Sequence, residues 1–202
     1  MGSMGQNMDN TLAYYQANAA SFASSTVDVD LAGMRDRFVR HLPPHARILD
    51  FGCGSGRDAK AFLGLGYDVT ATDGSPEMCE IARANTGLDV LCMLFQDLDV
   101  QQEYDGIWAC SSILHLPKEQ LADVLARMAA ALNPGGVIYT SFKYGTYEGQ
   151  RNGRYFTDFT LESFQDFIAR VPELHVTEHW TTGDARPGRE SERWLNLLMT
   201  SL

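Results

Sequence analysis

Short apolar runs alternate with stretches of helical spacing from residue 46 to about 142. That alternation predicts a parallel sheet whose strands are joined by crossover helices. The strands read 46–51, 67–72, 88–93, 104–110 and 137–142, with helices between them. The helix after Pro117 carries Leu121, Val124, Leu125, Met128 and Leu132 on one face, a core stripe that Asn133-Pro134-Gly135-Gly136 ends. Ahead of the sheet, Leu12, Tyr15, Ala19 and Phe22 line one helix; Leu31, Met34, Phe38 and Leu42 line a second, stopped by Pro43-Pro44. Beyond it, Thr160 can cap a helix bearing Leu161, Phe164, Phe167 and Ile168. Two last strand-like runs, 174–180 and 193–199, flank the polar loop 183–191 and predict an antiparallel hairpin. The sum is one α/β domain over 1–202: a doubly wound, mostly parallel, seven-stranded sheet from 45 onward, with appended helices at 9–44. Residues 1–8 read as a disordered tag remnant, because Met1-Gly2-Ser3 precedes a second methionine, Met4.

Composition narrows the partners. A chain of 202 residues that is 45% hydrophobic can bury a substantial core. No stretch approaches the roughly 20 apolar residues of a membrane span, and the N-terminus lacks the charged and apolar regions of a secretion signal. A cytoplasmic protein is expected. The net charge of −10 opposes a nucleic-acid polyanion and favours a small-molecule partner. Nothing in the pattern specifies an oligomer. The four cysteines, at 53, 79, 92 and 110, form no C-x-x-C pair and read as free thiols in a reducing compartment. His175 and His179 are four apart, but on a strand that spacing separates them by roughly 13 Å, so no metal site is expected.

The chemistry concentrates at Ile48-Leu49-Asp50-Phe51-Gly52-Cys53-Gly54-Ser55-Gly56-Arg57-Asp58. An apolar strand runs into an acid, then three glycines stand at alternate positions, then a helix starts. Such glycines let the backbone approach a ligand and adopt positive φ, while the first N–H groups of the helix face an anion. A dinucleotide fingerprint needs its last glycine three residues after the second, and that place, position 57, is arginine. Asp73 stands 21 residues beyond Gly52, at the end of the next strand-like run, where it can accept hydrogen bonds from a ribose.

With these residues the chain resembles the class I S-adenosylmethionine-dependent methyltransferases. Asp50-x-Gly-x-Gly-x-Gly is similar to their first motif, and Asp73 falls where their ribose-binding acid falls. Gln96-Asp97-Leu98, Tyr104-Asp105-Gly106-Ile107-Trp108 and Leu132-Asn133-Pro134-Gly135-Gly136 extend the likeness over roughly residues 9 to 145. Cys53-Gly-Ser-Gly-Arg57-Asp58 and Tyr14-Tyr15-x-x-Asn18-Ala19 resemble the small bacterial branch that includes tellurite-resistance methyltransferases. The resemblance implies a Rossmann-like methyltransferase fold and S-adenosylmethionine as cofactor. It also implies a cofactor site from Tyr14, Asp50, Gly52, Cys53, Gly54, Gly56, Arg57, Asp73, Gly74, Ser75, Met78, Asp97, Leu98 and Cys110.

Several roles stay open on sequence. Asp50 can orient the cofactor or simply bond loop N–H groups. Arg57, a cation opposing a helix dipole, can hold the cofactor carboxylate or pair with Asp58. Asp97 and the Leu98 N–H can read the adenine, or Asp97 can be an exposed loop acid. Cys110 with His115 as a nucleophilic pair lacks an orienting third group, so the Cys110 backbone is expected against the methionine half of the cofactor. A sulfonium makes its methyl group electrophilic, so the protein must mainly align a nucleophile in line and exclude water. A thiol or metalloid acceptor needs little base assistance, whereas an alcohol or amine must lose a proton; His115, Tyr14 and Tyr15 are the candidate bases. Lys143, Arg151 and Arg154 against Glu148, and Arg186 and Arg189 against Asp184, place local positive charge where an anionic acceptor would sit, metalloid oxyanion or carboxylate. The competing reading has them balance acids such as Glu190 and Glu192. Rival functions are a cofactor-binding sensor that transfers nothing and a nicotinamide-dependent oxidoreductase; a hydrolase elbow fails because glycine, not serine, stands at the centre of the loop.

Overall fold

The computed structural model describes residues 3–186, 188–189 and 191–201, with side chains from Asn10 onward. The strands are β1 (Arg47–Phe51), β2 (Asp68–Asp73), β3 (Leu91–Cys92), β4 (Tyr104–Ala109), β5 (Leu132–Lys143), β6 (Glu148–Arg151), β7 (Arg154–Thr157), β8 (Leu174–Gly183) and β9 (Arg193–Ser201). Seven of them form one sheet in the order β3-β2-β1-β4-β5-β9-β8, parallel from β3 to β5 and antiparallel from β5 through β8. The predicted doubly wound sheet with a C-terminal hairpin is present.

Helices α1 (Ser3–Thr26), α2 (Ala32–Val39), α3 (Arg57–Gly64), α4 (Pro76–Thr86), α5 (Lys118–Ala131) and α6 (Leu161–Ile168) pack around it. The pleat splits β1 between two cores: Leu49 joins Leu121, Val124, Leu125 and Met128 of α5 on one side, and Ile48 joins Phe38, Phe62 and Trp108 on the other. Trp108 stacks on Tyr139 with ring centroids 4.0 Å apart. Thr160 caps α6 as expected, its side chain accepting from Ser163 N–H. Among the described residues no helix is long and apolar enough to cross a membrane.

Four features depart from the sequence reading. The backbone is helical from Ser3, so most of the stretch expected as a disordered tag belongs to α1; Met1 and Gly2 lie outside the described residues. Helix α5 stops at Ala131 and β5 starts at Leu132, so Leu132 serves the strand. The third strand shrinks to Leu91–Cys92 because it lies at the sheet edge and pairs with β2 alone. The unforeseen feature is the β6–β7 hairpin. Its signal was in the sequence: Asn152-Gly153 takes φ of 52° and 78°, the left-handed pair of a two-residue hairpin turn.

Candidate functional site

A cleft opens outside the carboxyl ends of β1, β2, β4 and β5, where ligands of open α/β sheets bind. The loop after β1 supplies its floor. Gly52, Gly54 and Gly56 all have positive φ, at 84°, 56° and 78°, and the N–H groups of Gly52 and Cys53 both donate to the Thr72 carbonyl. The glycines differ in what they permit. A Cβ on Gly52 would sit 2.5 Å from Ser112 Cβ, and one on Gly56 would sit 2.6 Å from Thr86 Cγ2, so those two are required by protein packing. A Cβ on Gly54 would meet only Met78 Cε, at 3.7 Å. The middle glycine is therefore needed for its backbone conformation and leaves a concavity that faces the cleft.

Asp73 closes this cradle. One carboxylate oxygen accepts from Gly54 N–H and the other from Ser75 N–H, both at 2.9 Å. Burial pushes its pKa up, and the N–H groups of Ser75, Gly54 and Gly74 pull the other way. Asp50 is almost fully buried and accepts from Ala59 N–H at 3.0 Å, tying β1 to the first turn of α3. The loop-bonding reading of Asp50 is thus present in the geometry. Its pKa is raised by burial and by the charge of Asp58. Arg57 gives Nε and Nη2 to Asp58, at 3.1 and 2.7 Å, and Nη1 to the Thr26 carbonyl at 3.0 Å. It borders the cleft, but its ion-pair reading is the one the structure places, and the pair is buried rather than on the surface.

The adenine-side expectation needs correction. Asp97 is exposed and accepts from Leu94 N–H, while Leu98 N–H donates to the Phe95 carbonyl; neither residue borders the cleft. The 3₁₀ turn Phe95–Asp97 curls their polar groups back into the turn, so Met93, Leu94, Phe95 and Gln96 form the wall instead. Gly56 and Ser75 also lie behind the wall, Gly56 against Thr86 and Ser75 capping α4 at Met78 N–H. Gly74, Met78, Cys53 and Cys110 do border the cleft. Burial pushes the Cys110 thiol up to about 11 and leaves it protonated, and its side chain meets Ser111 rather than His115.

At the other end, Tyr15 rather than Tyr14 faces inward. Neighbouring helix positions point about 100° apart, so Tyr14 turns out to an external groove with Arg154, Arg186 and Arg189 while Tyr15 meets His115. Lys143, Arg154, Arg186 and Arg189 all reach the cleft. Arg151 does not: it pairs with Asp158 at 2.6 Å. The balancing reading holds for three of the others, since Lys143 and Arg189 pair with Glu192 and Arg186 pairs with Asp184. Glu190 lies outside the described residues. Arg154 has no carboxylate partner among the described residues. Its guanidinium carbon sits 4.5 Å from the Tyr14 ring centre and 5.1 Å from that of Phe156, and its buried Nε has no hydrogen-bond partner.

Residues 48–136 match the protein family described as "Methyltransferase domain". That stretch, from β1 into β5, is similar to a methyltransferase domain. Over 105 residues the chain is 33% identical to the ubiquinone biosynthesis O-methyltransferase of Xanthomonas campestris pv. campestris (strain B100), an overlap of 48% of this chain and 43% of that one. The chain thus spans under half the length of such relatives. The chain also superposes on two solved structures, among others. One is the 1,6-didemethyltoxoflavin-N1-methyltransferase of Burkholderia thailandensis with bound 1,6-didemethyltoxoflavin and S-adenosylhomocysteine (TM-score 0.81, 21% identity, 100% of this chain and 91% of that one). The other is a TehB-like methyltransferase from Corynebacterium glutamicum (TM-score 0.68, 20% identity, 92% of this chain and 99% of that one). At those identities the likeness is one of fold.

The sequence motifs located the floor of the cleft better than its roof. Loop glycines and Asp73 sit at strand ends, where local spacing fixes them. The roof is built by α1, the β6–β7 hairpin and the β8–β9 hairpin, whose Tyr15, Phe156 and Trp194 meet the floor only through tertiary packing.

Proposed function

We propose that this protein transfers a methyl group from S-adenosylmethionine to a small acceptor bearing an anionic group. The observation that carries the cofactor part is the Gly54 concavity beside a half-buried Asp73 whose carboxylate accepts from Gly54 N–H. In this reading Asp73 takes the ribose hydroxyls, Leu94 and Phe95 wall the adenine, and the loop 52–55 with the backbone at Cys110 holds the methionine half. When bound, the cofactor supplies an electrophilic methyl group. The protein's part is to fix the acceptor in line with it and exclude water. An arginine at position 57, committed to Asp58, stands where a dinucleotide-binding loop requires glycine.

Arg154 supports the anionic acceptor. In a chain of net charge −10 it is a cleft cation with no carboxylate partner among the described residues, and its surroundings are aromatic. The names of the Xanthomonas and Burkholderia proteins put the methyl group on oxygen and on nitrogen respectively, which favours such an atom here as well. The test is release of S-adenosylhomocysteine across a panel of carboxylate metabolites and metalloid oxyanions. Arg154→Gln should cut turnover of the acceptor about ten-fold or more and flatten its salt dependence, with S-adenosylmethionine affinity unchanged in calorimetry. A protein that binds the cofactor and releases no product with cell extract is a sensor, and the transfer reading fails.

A further inference from the structure

Three side chains outside the cofactor cradle meet under the roof of the cleft. The Tyr15 hydroxyl lies 2.8 Å from His115 Nε2, His115 Nδ1 lies 2.6 Å from the Tyr155 carbonyl oxygen, and Arg154 Nη1 lies 3.4 Å from the Tyr15 hydroxyl. Chemistry orders the protons. A carbonyl only accepts, so Nδ1 carries the hydrogen and a neutral ring offers its Nε2 lone pair. The Tyr15 O–H therefore donates to Nε2, leaving its oxygen able to accept. Both side chains border the cleft, between Leu114, Leu116 and Phe156.

Building on the methyl-transfer reading, we propose that Tyr15 and His115 form a proton relay that deprotonates the acceptor, which is therefore a hydroxyl or N–H compound whose anionic group pairs with Arg154. In the step, the acceptor's X–H proton passes to the Tyr15 oxygen as the phenol's own proton passes to His115 Nε2. The X lone pair takes the methyl as the methyl–sulfur bond breaks, and that electron pair stays on sulfur. The positive charge ends on His115, which returns its proton to water as products leave.

The surroundings fit this task. His115 faces Tyr15 from α1, Arg154 and Tyr155 from β7, and Lys143 from β5, the last paired with Glu192; Tyr15 in turn is half-buried, beside the Arg154 cation and within reach of the Asp73 carboxylate's charge. Burial, with Arg154 and Lys143, pushes His115 down to about 4, so the base form is present across the physiological range. An anion on Arg154 offsets the cation that opposes the imidazolium, so seating the acceptor strengthens the base. A thiolate, selenide or tellurite has no such proton to surrender and would leave the relay idle.

The experiment uses the full chain. S-adenosylmethionine binding is measured by calorimetry, then S-adenosylhomocysteine release is followed with protocatechuate, salicylate and orotate against thiosalicylate, selenide and tellurite. Methylation of a hydroxyl or N–H member is expected, with kcat/KM level above about pH 5 because the base titrates near 4. Tyr15→Phe keeps the ring and removes one oxygen. It should lower kcat about 100-fold or more at unchanged cofactor affinity, and make kcat/KM climb about ten-fold per pH unit as only the self-ionised acceptor reacts. His115→Gln should do the same, whereas a structural role would lower the rate without tilting the profile. The relay is overturned if only thiosalicylate, selenide or tellurite is methylated, if Tyr15→Phe keeps the wild-type profile, or if a cofactor-binding protein methylates nothing in the panel. Failure to bind S-adenosylmethionine at all would instead overturn the methyl-transfer reading beneath it.

Discussion

Beneath the cofactor loop, Asp58 joins three elements, and replacing it by asparagine isolates what that junction contributes. Its Oδ1 accepts from Arg35 Nη1 at 2.7 Å and Arg57 Nε at 3.1 Å; its Oδ2 accepts from Arg57 Nη2 at 2.7 Å and Trp108 Nε1 at 3.0 Å. Burial alone would raise its pKa, but the hydrogen bonds and charges of Arg57 and Arg35 outweigh that and hold it below the usual carboxylate range. Asp58→Asn keeps the shape, turns one acceptor into a donor facing N–H groups, and leaves two guanidinium groups without their anion. Removing one partner of such a buried cluster costs about 3–5 kcal/mol, and the Asp58 side chain is 7% exposed, so solvent screens little of it. For a domain of this size that lowers Tm by roughly 6–20 °C. Urea denaturation and thermal melting at pH 7, followed by circular dichroism, measure it. The sign with pH is fixed by the lowered pKa: the contribution is complete above the unfolded value of about 3.9 and is lost as pH falls through the folded one. The gap between wild type and Asp58→Asn should therefore close below about pH 4. Asp123→Asn, which breaks an exposed pair with Arg127 on α5, should change neither curve measurably. A neutral-pH gap under about 1 kcal/mol, or one undiminished in acid, would refute the account of this junction.

Asp73→Ala should raise the S-adenosylmethionine dissociation constant about ten- to a hundred-fold, because hydrogen bonds to a charged group contribute roughly 1.5–3 kcal/mol; unchanged calorimetric affinity in a folded variant would falsify the ribose assignment. Arg57→Ala should weaken S-adenosylmethionine and methylthioadenosine alike, since its Nε, Nη1 and Nη2 are already committed to Asp58 and Thr26. A loss confined to the carboxylate-bearing ligand would show that Arg57 leaves Asp58 to bind it. A thiol-reactive dye at pH 7.5 should label Cys92 quickly and the other three cysteines slowly. Cys92 is exposed, while burial raises the pKa of Cys53 and Cys110 and pushes Cys79 up to about 12. Rapid labelling of Cys110 would contradict its protonated state.

What the sequence determined by itself is local and periodic. The alternation of apolar runs and helical stripes set the sheet and its crossovers, because burying one face at period 2 or 3.6 is decided within each segment. Glycines at 52, 54 and 56 announced a positive-φ loop, which the backbone adopts, and Thr160 announced its helix cap. Asn152-Gly153 announced a hairpin just as locally. Tertiary packing decided which side chains meet. It turned Tyr15 rather than Tyr14 toward His115, 100 residues away in the chain. It brought Arg35 of α2 to Asp58 of α3, which settled the partner of Arg57. It also curled Asp97 into its own turn and left Phe95 and its neighbours to line the cleft. Backbone conformation follows from a residue and its near neighbours, whereas a buried charge or hydroxyl takes whichever partner the packed elements carry to within about 3 Å of it.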